Sequence, residues 1–384
     1  MRVNNLPLAS SDARELRHDG TVHRVRTRVG HEAWLVTGYE EVRALIDDPR
    51  LGRSHREPDT AARTGDSALF GGPMGDFETE HADHARMRAQ LQPHFSPKRM
   101  RALRPRVEEL AEGLLDDLAA DGPPADLQAA VATPLPILVI CELLGVPYED
   151  REQFRAWTAA AGNTLDNERS LRGLADLYAY GQRLVARKRA EPGDDVISRL
   201  LQTPDMDDDL VARRAMALLF AGHETTVVRI GIGALHLLAN RDQWELLREN
   251  PDLIPGAIDE IMRSPGESTG EGLPRYARED FELAGVQIGA GELVLLDLQA
   301  ANVDEKEWRD PGRFDVTRQA VGHLSFGHGA RYCIGAPLAK IELAAVYTRL
   351  IPRFPELRLA VPAAELRYHT GTLTGGLVEL PVTW

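Results

Sequence analysis

The sequence predicts a mainly α protein with a minor β region, and three observations carry that expectation. Apolar residues recur at helical spacing from His84 to Ala120. An unusually long, apolar-rich stretch runs from Leu210 to Asn240, and strand signals gather late, between Arg275 and Leu296. With 384 residues, the chain is long enough for two domains or for one large helical unit, and length alone does not choose. Its 24 prolines and 33 glycines are spread as punctuation between short elements, not gathered in one low-complexity tract.

In chain order, Val22 to Arg28 and Glu32 to Thr37 alternate apolar and polar residues around Val29-Gly30-His31, the pattern of a small hairpin rather than a large sheet. Tyr39 to Ile46 reads as a short helix. From Leu51 to Phe77 the pattern dissolves into Gly, Pro, Asp and Ser, including Gly71-Gly72-Pro73-Met74-Gly75. That predicts a mobile loop too long for a mere connector, of the kind that carries function. Met87, Leu91, Leu103, Val107, Leu110 and Leu114 then mark helices broken by Pro93 and Pro97, and further helices follow through Leu201. The stretch Leu210 to Asn240 spans ~45 Å at ~1.5 Å per residue. Its middle is apolar on nearly every face, which marks a helix buried in a core.

Gly222-His223-Glu224-Thr225-Thr226 interrupts that apolar rod. Buried polar groups cost free energy unless they are hydrogen-bonded, so the interruption needs a reason. A helix at about Ile254 to Met262 precedes strands at Arg275 to Ala277, Phe281 to Ile288 and Glu292 to Leu296. A charged meander from Asn302 to Arg318 leads into a glycine-rich run, Phe326 to Gly335. Pro337 then opens an amphipathic helix to about Ile351, at a position where its missing N–H is harmless.

A net charge of −14 argues against general affinity for nucleic acid or an anionic membrane surface. The N-terminus lacks the apolar core of a signal peptide, and no run approaches the roughly 18 apolar residues of a membrane span. The two cysteines argue against a disulfide framework, and Cys141, within the apolar stretch Ile137 to Leu144, reads as a core thiol. These features predict a reducing, cytoplasmic setting.

Cys333 lies in a glycine-rich loop just before a helix start, where free amide donors and the helix dipole favour a thiolate. Gly327, Gly329 and Gly335 remove side chains around it, which suits close approach of a flat macrocycle. Taken bare, such a cysteine is more often a structural residue or a nucleophile than a haem ligand. The full string Phe326-Gly327-His328-Gly329-Ala330-Arg331-Tyr332-Cys333-Ile334-Gly335, however, resembles the haem-binding signature of the cytochrome P-450 family. The resemblance extends from about Trp34 to the C-terminus and is nearest to soluble bacterial members.

Ala221-Gly222-His223-Glu224-Thr225-Thr226 resembles the oxygen-activation motif of that family. Gly222 opens space against a bound ligand, and Thr225 can bond back to the carbonyl of Ala221, loosening the helix into a groove. The resemblance makes Glu224 a proton relay and Thr225 a hydrogen-bond donor in catalysis, with Cys333 as the iron ligand. Glu260-Ile261-Met262-Arg263 places an acid and a base three residues apart on one helical face. In the family such a pair is buried and bonds to the meander. Where many members carry Asn-Arg-Asp, this chain has Asn302-Val303-Asp304.

What the resemblance implies is one helical unit over 1–384, with haem b (iron protoporphyrin IX) between the long helix and the Cys333 loop. It assigns the haem propionates to His84, Arg88, Arg275 and Arg331, of which His84 and Arg88 share a helical face. Ala221, Phe326, Gly327 and Gly335 complete the cofactor contacts. Arg331 stands where many soluble bacterial members carry His, and a guanidinium is an equal or better carboxylate fork. Candidate pocket residues are Met74, Leu218, Ala221, Leu273, Pro274 and Leu373. Glu267 and Glu271, near that strand, would favour a cationic substrate.

The implied activity is reductive activation of dioxygen and oxidation, by hydroxylation above all, of a small organic substrate such as a natural-product intermediate. Oxidative coupling or cyclisation without oxygen insertion is the alternative. No flavin or iron–sulfur domain fits within the chain, so the resemblance implies a separate ferredoxin and an NAD(P)H-dependent ferredoxin reductase. Lys98, Arg99, Arg101, Arg104 and Arg106 form a local basic cluster where an acidic ferredoxin could dock. Two rival readings are a serine hydrolase and a silent haem-binding sensor. Gly266-Glu267-Ser268-Thr269-Gly270 matches a nucleophile elbow but lacks the apolar strand before it. A sensor has no use for proton delivery by Glu224 and Thr225.

Overall fold

The computed structural model describes residues 4–5, 16, 20–266 and 272–384. Glu267, Ser268 and Glu271, invoked above for an elbow and for a cationic substrate, lie outside the described residues. Helices α1 (Tyr39–Ile46), α2 (Glu80–Leu91), α3 (Pro97–Asp121), α4 (Pro134–Leu144), α5 (Arg151–Ala161), α6 (Asn167–Ala190) and α7 (Val196–Leu200) precede the long helix α8 (Asp208–Ala239). Then come α9 (Arg241–Glu249), α10 (Ile254–Arg263), α11 (Leu298–Ala301) and α12 (Ala336–Arg353). The expected mainly α architecture with a small β region is what the structure shows.

α8 is the axis of the molecule. Its 32 residues begin where the Asp207 side chain accepts the Leu210 N–H at 2.7 Å, with Asp208 and Asp209 beside the positive end of the dipole. By length and composition α8 could cross a membrane. Here it instead runs through the main core, where Val211, Ala212, Ala215, Leu219, Ile230, Ala234 and Leu237 are each at most 1% exposed. α4, α6, α10 and α12 pack around it. α12 starts with Pro337 in its first turn, as the sequence predicts.

The hairpin expectation needs correction. Strands β2 (Val22–Arg26) and β3 (Glu32–Val36) pair antiparallel, but they belong to a six-stranded sheet with β1 (Asn4–Asn5), β4 (Leu51–Gly52), β6 (Leu273–Ala277) and β9 (Leu293–Leu296). β5 (Ala125–Asp126), β10 (Arg358–Leu359) and β11 (Pro381–Thr383) form a second sheet, and β7 (Phe281–Leu283) with β8 (Val286–Ile288) a hairpin. β3 lies parallel to β9 with Trp34 opposite Val294. Alternate residues of these strands enter separate apolar clusters on the two faces, Val294 and Leu296 on one, Leu293 and Leu295 on the other. A strand buried on both faces is a continuous apolar run without alternation, so its partner across the chain is invisible locally. β6 runs antiparallel to β9 and begins beside the cavity described next.

Candidate active site

A cavity of about 580 Å³ lies between α8, the Cys333 loop and the first turns of α12. Leu218, Ala221, Gly222 and Thr225 line it from α8, and Phe326, Cys333 and Gly335 from the opposite side. Cys333 is exposed in surface area yet surrounded by protein, because its thiol faces this cavity. The loop is closed by the Cys333 N–H, which donates to the Phe326 carbonyl at 2.6 Å. Backbone N–H groups of Gly335 and Ala336 point at the sulfur and, with the charge of Arg88, pull its pKa down. Burial is the larger effect, so the thiol is held above its ordinary range. This corrects the expectation that the loop alone favours a thiolate. A cation at the sulfur is needed, and a coordinated metal deprotonates a thiol outright.

The glycines also divide differently from expectation. Gly327 and Gly329 have φ of +74° and +57°, so they serve left-handed turns. Gly335 alone of the three lines the cavity. Gly222 does line it, but a Cβ there would lie 2.8 Å from Ile140 Cδ1. Its missing side chain therefore lets α4 pack against α8 rather than making room for a ligand.

On α8, Thr225 Oγ1 donates to the Ala221 carbonyl at 3.0 Å, the back-bond that the sequence predicts, and both residues face the cavity. Glu224 turns away from the lining, towards Gly162 and Thr374, whose hydroxyl donates to Glu224 Oε2 at 3.5 Å. Burial pushes its carboxyl up to about 7. Gly162 and Thr374 are brought there by the turn after α5 and the C-terminal loop, where the Leu373 N–H donates to the Gly162 carbonyl at 3.0 Å. His223 is buried and neutral, its pKa held down to about 4 by burial.

His84, Arg88, Arg275 and Arg331 come together as expected. After burial, the charges of Arg331, Arg88 and Arg275 hold the His84 imidazole down to about 4. Burial, then Arg53 and Arg331, lower Arg275 to about 9. Cations crowded so closely need anions. Among the described residues the acids acting on Arg331 are Glu80 and Asp47, and Glu80 is already held by the N–H groups of Arg53 and Ser54 at 3.0 and 2.6 Å. Arg53 and Glu80 escaped the sequence reading because nothing distinguishes them from solvated loop and helix charges. Pro274 beside Arg275, and Cys333 beside Tyr332 and Arg331, tie the cluster to the cavity rim. A flat apolar group with two carboxylates, haem b, fits this donor set: the thiol as metal ligand, the cations for the propionates.

Glu260 and Arg263 form a wholly buried pair, with Nε–Oε2 at 2.7 Å and Nη2–Oε1 at 2.8 Å. Arg263 Nη1 also donates to the carbonyls of Asn302 and Pro311, at 2.8 and 3.0 Å. Arg318 from the meander reaches Glu260 at 3.3 Å. The Asn302 side chain then ties the meander to the Cys loop through Ser325 and Leu324. Val303 is buried, so the departure from Asn-Arg-Asp replaces a polar contact by apolar packing.

Of the predicted pocket residues, Leu218, Ala221, Leu273, Pro274 and Leu373 line the cavity, and Met74 does not. Met74 is exposed, its N–H donating to the Arg53 carbonyl, and Thr64 and Phe70 are the residues this loop contributes. Phe95, Ile140, Arg229 and Thr374 were not foreseen.

A thiol facing a cavity across from Thr225 of the long helix, with a cationic rim, defines a haem-thiolate protein. The cytochrome P-450 family model matches residues 182–360. Pentalenolactone synthase of Streptomyces exfoliatus is 42% identical over 380 residues, 97% of this chain and 95% of its own length. Mycinamicin IV hydroxylase/epoxidase of Micromonospora griseorubida is 40% identical, covering 100% and 97%. Among solved structures, the substrate-free pimaricin epoxidase superposes with a TM-score of 0.88 at 40% identity, covering 100% of this chain and 99% of that one. The chain belongs to the cytochrome P-450 family.

Proposed function

We propose that the protein is a monooxygenase that oxidises a small organic molecule, a natural-product intermediate, by inserting one oxygen atom from dioxygen. The observation that carries this reading is that Cys333 and Thr225 line one apolar cavity, with the buried Glu224 carboxyl behind its wall, hydrogen-bonded to the lining residue Thr374. Haem, when bound, supplies the reductive activation of dioxygen, with the thiolate favouring O–O cleavage. The chain's residues do the rest. Arg88, Arg275, Arg331 and His84 hold the propionates. Thr225 presents a hydroxyl to the cavity. Glu224, with a carboxyl near neutrality, is suited both to give up and to regain a proton at working pH. The relatives' printed activities, hydroxylation and epoxidation, support oxygen insertion over oxidative coupling.

Electrons come from a separate ferredoxin and its NAD(P)H-dependent reductase, in the cytoplasm. Lys98, Arg99 and Arg101 are exposed at the start of α3 and offer an acidic ferredoxin a docking surface, whereas Arg106 is taken up by Glu109 at 2.7 Å. The test is spectral. Reduced protein exposed to carbon monoxide should show the strongly red-shifted absorption of sulfur-ligated haem, and labelled dioxygen should appear in product. A protein that lacks the red-shifted band would sink the reading.

A further inference from the structure

α8 carries a second polar interruption one turn beyond Thr225. Arg229 follows Thr225 by four residues, so both project from one helical face, ~6 Å apart along the axis. Arg229 lines the cavity beside Ile232, Met262, Gly266 and Leu273. Its Nη1 donates to the carbonyls of Ser264 at 3.0 Å and, more weakly, Ile261 at 3.5 Å. These lie at the C-terminal end of α10, where the helix dipole attracts a cation. A guanidinium has further donors. None of them has a hydrogen-bond or carboxylate partner among the described residues, and none is sealed from open space, so they face the cavity.

Protein surrounds Arg229 on every side. It is only half-buried in surface area because the guanidinium edge looks into the cavity. Burial alone lowers its pKa, to about 10, so it remains a cation at neutral pH. Among the described residues, the acids on the cavity wall do not pair with it. Asp297 is turned to the N–H groups of Gln299 and Ala300, which it accepts at 3.1 and 2.9 Å, and burial raises the Glu342 carboxyl, disfavouring its anion. Nor does Arg229 belong with His84, Arg88, Arg275 and Arg331, whose charges act on one another but not on it.

An enclosed cation without a counter-ion costs several kcal/mol, and a ligand that brings the anion recovers part of that cost. We infer that Arg229 recognises a carboxylate on the substrate, so that the molecule oxidised is an organic acid whose apolar skeleton lies between Arg229 and Thr225. A planar monoanion suits one guanidinium fork. A phosphate dianion would leave a charge unmatched among apolar neighbours. The inference rests on the haem-thiolate reading above.

The test uses the haem-loaded protein and a series of ω-(imidazol-1-yl)alkanoic acids with their methyl esters. The imidazole ligates iron and reports binding as a Soret shift, while the tether length lets the carboxylate sample the cavity. At one or more lengths the acid should bind at least about tenfold more tightly than its ester, the value of a charge-assisted hydrogen bond. Arg229→Gln should abolish that preference, and Arg229→Lys should keep part of it. An ester equal to or tighter than its acid at every length overturns the inference, as does an acid preference that survives Arg229→Gln. Should Arg229→Gln fail to hold haem, the wild-type ratio and Arg229→Lys decide. A series that produces no ligation shift at all in wild type would condemn the haem reading itself.

Discussion

Replacing Glu224 by Gln removes an acid that the fold holds near neutrality. Burial raises its carboxyl from 4.5 to about 7, opposed only by the 3.5 Å hydrogen bond from Thr374. At ~1.4 kcal/mol per tenfold, the folded state disfavours the anion by roughly 3 kcal/mol, and we take ~2 kcal/mol because Glu224 is incompletely buried. The folded pKa lies above the unfolded one. The protonated side chain therefore supports the fold fully below pH 4.5, and that support is lost as pH rises through about 7. Gln has no such dependence. The stability of Glu224→Gln relative to wild type should grow across this window and level off above it at ~2 kcal/mol, read from denaturant midpoints between pH 5 and 9. An infrared band for protonated Glu224, absent in the variant, should fall by half near pH 7. Turnover should drop about 100-fold, the scale of a lost general acid. A pH-independent stability difference, or an infrared midpoint near 4.5, would refute the argument that burial sets this proton.

Thr225→Ala should retain haem and substrate binding but divert reducing equivalents to peroxide, measured as peroxide formed per NAD(P)H; unchanged coupling contradicts its role. Arg263→Met removes both the charge and the fork that hold Glu260 and two carbonyls, and unpairing a buried ion pair costs about 3–5 kcal/mol. The yield of haem-loaded protein should collapse, and a normal carbon monoxide spectrum at normal yield would show the pair to be dispensable. Reversing Arg99 and Arg101 to Glu should raise the ferredoxin KM and flatten its salt dependence, with ferredoxin-free ligand binding unaltered. An unchanged KM removes α3 from the docking surface.

What could be read from the sequence was what is encoded within a few turns. The Thr225 back-bond to Ala221, the Glu260–Arg263 spacing, the start of α12 at Pro337 and the buried span of α8 are all local, and each is present. Contacts between distant segments left no such trace. β3 finds β9 more than 250 residues later, and neither strand shows where its partner lies. Glu224 meets Thr374 across 150 positions, in a C-terminal loop that reads as ordinary turn. Met74 was placed in the pocket by its position in the family resemblance, but a loop of that length can turn any of its residues inward, and it turns Thr64 and Phe70. Arg229 was not read from the sequence, because α8 also carries Arg213 and Arg214 and only the cavity sets Arg229 apart from them.

The polar interruption of α8 can be sorted by where each group finds its partner. His223 bonds inward, to the Leu219 carbonyl and within 3.4 Å of the Thr158 hydroxyl, and at neutral pH it is an uncharged strut. Thr226 leans back on the Gly222 carbonyl. Glu224 has one weak bond and a displaced pKa, and Arg229 uses a single nitrogen on two carbonyls. Buried polar groups in folded proteins are ordinarily satisfied, so those left wanting mark where something else must supply the partner. By that criterion Glu224 answers to a moving proton and Arg229 to an anion. Thr225 and Arg229 share the cavity face of the helix and Glu224 lies off it, so on this reading the substrate is held on that face while the proton reaches it through the cavity wall, past Thr374.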